Sequence, residues 1–367
     1  HETKLNSFIE RKQRVLTLTI ICFICSAKNL QISLSTLTSS SGCQIPLVNN
    51  RAGQAVTGKV RYLVDEPTEY QHVTLSFLGK GKCVWRQGSG KSSRTYRGTE
   101  DYVITHVNVC NKRPEDTITL EGKYEHPFEF FLPEDIPRSY KDVIGSISYK
   151  VELKFEKPNF FSFNKVFTAE IPVYSYLYPT TEGPIIFGLQ KELFAPFAAT
   201  TPVVNLKAEI DKTFFTPGEN AHLSYVVTND TDVEITSVKT ELYRHTTYTS
   251  DYGTKKYLNA KVESCEAESL SIPERQVSSI SCVLPTLPEL YSITNSKVIN
   301  IEYRVRVTVR LPLPHINATV DLPVLIGEAK GAVEEVFEMT EDGEQPPTYW
   351  EAMSEGKTKE KSDDESD

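Results

Sequence analysis

Gly145-Ser146-Ile147-Ser148-Tyr149-Lys150-Val151-Glu152-Leu153-Lys154-Phe155 carries an apolar side chain at every second position from Ile147 to Phe155, with Ser148, Lys150, Glu152 and Lys154 between. Successive side chains of an extended chain leave on opposite sides, so this alternation specifies a strand and conflicts with the 3.6-residue repeat of a helix. One face is buried and the other wet, the signature of an antiparallel sheet layered on a second sheet.

Working outward, the same period recurs. Upstream, Val56, Val60, Tyr62 and Val64 share one face after the turn at Gly53; Val73, Leu75 and Phe77 follow once Glu66-Pro67 interrupts the chain; Tyr102 to Val109 alternates again; and Pro127-Phe128-Glu129-Phe130-Phe131-Leu132-Pro133 is an aromatic strand between prolines. Leu30-Gln31-Ile32-Ser33-Leu34 reads as the first strand and Val166 to Val173 as the last of this set. From Tyr178-Pro179 to Pro202 the pattern lapses around Gly183-Pro184 and Ala195-Pro196, as expected of a linker. A second set then begins at Val204. Thr216-Pro217-Gly218-Glu219 to Val227 restates the element from Gly53 to Val64, Ile235 to Tyr243 restates Val73 to Leu78, and Ile299 to Val309 and Val320 to Ile326 close the series. The expected fold is all-β: two tandem antiparallel immunoglobulin-like sandwiches over 28–178 and 203–327, joined by a linker at 179–202.

The net charge of −9 over 367 residues is uneven: Glu328 to Asp367 holds 14 acids against four lysines, leaving the rest close to neutral. Such a tail, 328–367, lacks the apolar content to pack and is expected to be disordered, and a nucleic-acid-binding body is not indicated. Seven irregularly spaced cysteines argue against a disulfide framework or zinc ribbon, and point to free thiols in a reducing compartment. Residues 1–27 are expected to form an N-terminal extension, a fragment or a misassigned boundary. Within it Arg11-Lys12-Gln13-Arg14 followed by Val15 to Cys25 has the layout of a secretory signal, and Asn229-Asp230-Thr231 and Asn317-Ala318-Thr319 are formal glycosylation sequons.

Between Trp85 and Glu100 the chain is Gly-, Ser- and Arg-rich and reads as a flexible basic loop. Lys80, Lys82, Arg86, Lys91, Arg94 and Arg97 suit contact with an anionic partner, either headgroups or an acidic cargo segment. Gly90-Lys91-Ser92 is not a phosphate loop, because the position five residues before Gly90 is Trp85 and no helix follows. The seven histidines never pair at metal-ligand spacing, and neither Gly-x-Ser-x-Gly nor His-Glu-x-x-His occurs. No catalytic residue, metal or cofactor is therefore expected, and His72, His106 and His126 read as satisfied sheet residues.

Gln345-Pro346-Pro347-Thr348-Tyr349-Trp350 lies in the acidic tail. Two prolines fix φ and pre-extend the chain as polyproline II, so little ordering entropy remains to be lost on docking. Pro346, Pro347 and Tyr349 form the Pro-Pro-x-Tyr ligand that aromatic WW grooves accept. Ser362, before Asp363-Asp364-Glu365, suits an acid-directed kinase.

The order Gly-x-x-Val-x-Gly-x-Val at Gly53 to Val60, Pro-Phe-x-Phe-x-Leu-Pro at Pro127 to Pro133 and Gly-Ser-Ile-x-Tyr at Gly145 to Tyr149 resembles the arrestin N-terminal domain. Thr-Pro-Gly-Glu at Thr216 to Glu219 and Leu-Pro-Val-Leu-Ile-Gly at Leu322 to Gly327 resemble its C-terminal domain. The chain looks most like the α-arrestin, or arrestin-domain-containing, branch, which places Pro-Pro-x-Tyr after the second domain. The resemblance implies a cytoplasmic adaptor, recruited to the plasma membrane and endosomes. Its sandwiches would hold a membrane receptor or transporter cargo, and its tail would recruit a WW-domain HECT-type ubiquitin ligase, promoting ubiquitylation, endocytosis and sorting. Peripheral membrane association fits the same picture. The chain departs from the family in showing one Pro-Pro-x-Tyr copy where relatives often have two, and it has no clathrin-box pattern in the tail. Two other readings stand beside this one: a retromer-like trafficking scaffold, indifferent to loss of Tyr349, and a secreted β-sandwich protein.

Overall fold

The computed structural model describes residues 50–110, 113, 116–158, 163–178, 183–194 and 201–330, together with the backbone of two earlier strands at 16–20 and 30–34. The N-terminal sandwich comprises β1 (Leu16–Ile20), β2 (Leu30–Leu34), β3 (Asn50–Arg51), β4 (Ala55–Tyr70), β5 (His72–Gln87), β6 (Arg94–Asn108), β7 (Ile118–Phe131), β8 (Tyr140–Lys141), β9 (Gly145–Glu156), β10 (Lys165–Ile171) and β11 (Val173–Tyr174). The C-terminal sandwich comprises β12 (Ile185–Glu192), β13 (Val203–Ile210), β14 (Phe214–Phe215), β15 (Ala221–Asp230), β16 (Ser237–Thr249), β17 (Lys255–Glu268), β18 (Gln276–Leu284), β19 (Ile299–Arg310) and β20 (Ala318–Ile326). No α-helix occurs among the described residues.

The internal repeat is a repeat of topology. One sheet runs β1-β2-β4-β7 and its counterpart β12-β13-β15-β18; the facing sheets run β10-β9-β5-β6, with β8 on β9, and β14-β20-β19-β16-β17. The two restated turns match, with Gly53 at φ 82° and Gly218 at φ 84°, a left-handed conformation that glycine adopts without steric cost. The alternating positions are the core: Ile147, Tyr149, Val151, Leu153 and Phe155 of β9, Val56, Val60, Tyr62 and Val64 of β4, and Ile301, Tyr303, Val305 and Val307 of β19 are all buried.

Three expectations change. Residues 185–192, inside the stretch read as a linker, are strand β12, paired along its length with β13. Ile185, Phe187 and Leu189 are half-buried beneath it, so one apolar face suffices at a sheet edge even though Gly-Pro and Ala-Pro flank it. Glu66-Pro67 does not end β4; the register against β7 shifts between Val64 and Thr68, and this bulge accommodates a residue that cannot donate to the ladder. The basic segment is not a long flexible loop. β5 and β6 stay paired from Thr74↔Asn108 to Gln87↔Arg94, leaving only a tight tip with a single 3₁₀ turn at Gly90–Ser92.

The apolar run Val15 to Cys25 includes β1, paired antiparallel with β2 from Leu16↔Leu34 to Ile20↔Leu30. Asn229 is 1% exposed. Its Nδ2 donates to the carbonyls of Val233 and Pro273, each at 2.9 Å, and its Oδ1 accepts from Thr231 Oγ1 at 2.7 Å. In the folded chain that sequon is a buried turn lock, inaccessible to a glycosyl donor. His126 Nε2 meets the Tyr62 hydroxyl at 3.0 Å and His106 Nδ1 meets Ser76 Oγ at 2.7 Å, as expected of satisfied sheet residues.

Candidate functional site: the basic hairpin and the domain interface

Directly opposed residues of a ladder point to the same side, so the register sorts the cations. Lys80, Lys82 and Arg86 alternate with the inward-facing Gly81, Cys83 and Trp85 and are exposed, and Arg97, opposite Val84, joins them on the outer face. Arg94, opposite Gln87, falls on the other face, and Lys91 sits in the 3₁₀ turn. Four of the six cations thus share a surface and two do not. Lys80 is 3.4 Å from Asp101, and Arg86 Nε donates to Ser93 Oγ across the tip.

The structure adds a cation that sequence periodicity could not supply. β8 is two residues long, and Lys141 pairs with Ser146, which pairs in turn with Lys82. Lys141 and Lys82 therefore stand in one row on one face, two strand spacings or roughly 10 Å apart. A groove of about 570 Å³ runs beside them, lined by Lys82, Val84, Lys141, Val143, Ser148 and Glu170 among others. Val143 and Val84 project into solvent at 101% and 47% exposure. Paired ammonium groups next to exposed valines suit an acidic segment that also carries apolar side chains. Among the described residues, no cluster of three or more His, Cys, Asp or Glu side chains could hold a metal ion.

Behind this groove the two sandwiches meet, within one compact unit. The hub is Asp142. Its Oδ1 accepts the N–H groups of Ile144 at 2.9 Å and Gly145 at 2.7 Å, and its Oδ2 accepts the Tyr140 hydroxyl at 2.9 Å and the hydroxyl of Tyr248 from the other domain. Burial alone would raise the Asp142 carboxyl, but the Tyr248 hydroxyl, the Gly145 N–H, the Tyr140 hydroxyl and the Ile144 N–H outweigh it and hold the group below the usual carboxylate range. The Tyr140 hydroxyl is pushed up to about 12 by burial and by donating to that carboxylate, and Tyr248 is raised for the same two reasons.

Around the hub, Glu100 accepts the Lys297 N–H at 2.7 Å, Tyr102 and Ser296 share a hydrogen bond at 2.7 Å, and Asp251 accepts the Thr99 N–H at 2.7 Å. Arg138 lies over the Tyr291 ring at 3.3 Å. At the far end Arg51 pairs with Glu328, and the Leu177 N–H donates to the Glu328 carbonyl at 2.8 Å. Closest of all is Gly98. A β-carbon there would stand 2.2 Å from the Thr249 carbonyl oxygen, so β6 can abut the end of β16 only because that position has no side chain.

Pro346, Pro347, Tyr349 and Ser362 lie outside the described residues, as does the tail beyond Lys330.

Two β-sandwiches repeating one strand order and locked by a polar interface define a tandem β-sandwich protein, and the comparisons resolve the class further. The N-terminal domain of arrestin (or S-antigen) matches residues 49–177 and the C-terminal domain matches 202–330. The chain belongs to the arrestin family, in its arrestin-domain-containing or α-arrestin branch. It is similar to "Arrestin domain-containing protein 17" of Caenorhabditis elegans, 25% identical over 75% of this chain and 67% of that protein. It is 24% identical to human "Arrestin domain-containing protein 1" over 75% of this chain and 60% of that protein, and 24% identical to rat "Thioredoxin-interacting protein" over 76% and 71%. The chain thus spans about 60–71% of the length of these relatives.

Proposed function

We propose that this chain is an adaptor that links membrane receptors or transporters to a WW-domain HECT-type ubiquitin ligase, and so promotes their ubiquitylation, endocytosis and sorting. The observation that carries the reading is Pro346-Pro347-Thr348-Tyr349 placed after the two arrestin domains. The tail motif docks the ligase, the sandwiches hold the cargo, and tethering the two raises their effective concentration without chemistry in the adaptor. The adaptor is a binding protein and not an enzyme. The cations Lys80, Lys82, Arg86 and Arg97, now with Lys141, form the face that meets an acidic cargo segment or anionic headgroups, and Ser362 is a site for an acid-directed kinase. Among the described residues no helix is long and apolar enough to cross a membrane, and the adaptor works in the cytoplasm, recruited peripherally to the plasma membrane and endosomes.

The test is capture of the full chain by WW-domain fragments, comparing it with its Tyr349→Ala variant. Capture is expected for the parent and lost for the variant, because the second anchor of the motif is gone. Equal capture of both proteins overturns recruitment through the Tyr349 motif, and failure to capture the parent overturns ligase recruitment and favours the trafficking scaffold.

A further inference from the structure

β18 is the last strand of its sheet, so one row of its N–H and C=O groups faces away from β15. Other long edge strands carry charges along their length, such as Glu121, Lys123 and Glu125 on β7 and Lys255, Lys261 and Glu266 on β17. β18, Gln276-Val277-Ser278-Ser279-Ile280-Ser281-Cys282-Val283-Leu284, has no charge, no proline and no register shift against β15. It is an uncharged edge, unbroken in register, without the usual guards against pairing.

The core is also short of one cover there. On β15 the inward residues Leu223, Tyr225 and Val227 are fully buried, whereas Ser278, Ile280 and Cys282 on the adjacent β18 are only half-buried. A cleft of about 190 Å³ opens beside them toward Ala267 and Ser269. On the outer face Val277 and Val283 are 60% and 49% exposed.

The sequence of the edge says what fits it. Val-Ser-Ser-Ile-Ser-Cys-Val reads almost the same in both directions about Ile280. We propose that β18 pairs antiparallel with β18 of a second copy about a two-fold axis through Ile280, joining two four-stranded sheets into one of eight. Ile280 then faces itself, Ser279 faces Ser281, Ser278 faces Cys282 and Val277 faces Val283. A two-fold axis normal to the sheet keeps each face on its own side, so valines meet valines outside and half-buried groups meet half-buried groups inside, and no like charges are opposed. Nine residues of edge fall short of the roughly 1,200–2,000 Å² of a stable interface, so the dimer is weak and forms where the protein is concentrated. It gives an assembly with two Pro-Pro-x-Tyr hooks from a chain that shows one; that consequence rests on the ligase reading, and the pairing itself does not.

Sedimentation equilibrium of the full chain over a concentration series tests the pairing without reference to any ligase. The parent is expected to show a monomer–dimer equilibrium. Ser279→Lys/Ser281→Lys places lysine opposite lysine at two exposed positions and is expected to sediment as monomer throughout, as is Ser279→Glu/Ser281→Glu; an equimolar mixture of the two recovers the dimer. Circular dichroism and unfolding midpoints close to the parent's establish that both variants are folded. A parent that stays monomeric up to its solubility limit, a lysine variant that dimerises as the parent does, or a mixture that associates no better than its components overturns the proposal. Capture of an extended peptide by a monomeric parent overturns it equally, in favour of a foreign strand.

Discussion

Replacing Tyr248 by Phe removes one hydroxyl from the centre of the domain interface and leaves the ring in place. Tyr248 is 0% exposed, and its hydroxyl donates to Asp142 Oδ2 from across the interface. A hydrogen bond to a charged acceptor contributes about 1.5–3 kcal/mol, and the variant is expected to lose a figure in that range. Asp142 keeps three donors, Tyr140, Ile144 and Gly145, so it stays ionised and the loss does not grow to that of a stranded charge. The pH dependence separates this account from a simple packing defect. Asp142 is held below its ordinary range, so its contribution is fully present above the unfolded carboxylate value and disappears as pH falls through the folded one. Removing a donor moves the folded value upward. The gap between parent and variant is therefore widest near neutrality and closes on acidification below about pH 4. Urea unfolding of the full chain at a series of pH values measures it, with the midpoint reporting stability. A changed slope or a second transition would report sandwiches that no longer unfold together. A neutral-pH gap below about 0.5 kcal/mol, the size of an ordinary surface substitution, would refute the role given to Asp142, as would a gap of constant size down the acid limb.

Lys82→Glu/Lys141→Glu reverses the two cations that share a row, and is expected to weaken binding of a glutamate-rich peptide about tenfold, with the difference shrinking as salt is raised; titration by fluorescence anisotropy at two ionic strengths decides it. Asn229→Ala strands the Pro273 carbonyl and removes one donor from the Val233 carbonyl in a buried turn, while Thr231 Oγ1 keeps the Val233 carbonyl as acceptor; it should cost about 1–3 kcal/mol, read as a lower melting temperature. Arg306→Lys keeps the charge but gives up the bidentate contact with Asp321 at 2.7 and 2.9 Å and the stacking over Tyr243 at 4.3 Å. It should cost about 1 kcal/mol in thermal or urea unfolding, because a lone ammonium reproduces neither contact.

What could be read from the sequence follows from which features are local. Alternation in β4 and β9 depends only on the burial of one face, and it placed their core residues correctly. The repeat was visible because the two turns, at Gly53 and Gly218, need the same left-handed glycine. The cation face was half legible. Lys80, Lys82 and Arg86 lie on one strand at even spacing, and Arg97 is brought beside them by the hairpin register, whereas Arg94 shows that clustering in sequence is not clustering in space. Lys141 and Asp142 had no local signal at all. A two-residue strand has no period, and the value of Asp142 lies in Tyr248, 106 positions away.

The misreading of the basic hairpin has a more specific cause. Gly88, Gly90 and Gly98 made the segment look flexible, yet only Gly88 and Gly90, at the tip, adopt positive φ. Within the ladder the glycines are required by proximity: a β-carbon at Gly79 would meet the Tyr149 ring at 2.5 Å, one at Gly81 the Tyr102 hydroxyl at 2.2 Å, and one at Gly98 the Thr249 carbonyl at 2.2 Å. Two of these obstacles belong to the N-terminal sandwich and the third to the C-terminal one. The residue type that loosens an isolated chain here lets a hairpin press against both its own core and the neighbouring domain. The basic face is consequently mounted on the interface itself. Asp251, which accepts the Thr99 N–H and donates its own N–H to the Arg97 carbonyl at 2.9 Å, fixes the backbone on both sides of Gly98, as Tyr248 fixes Asp142 beside Lys141.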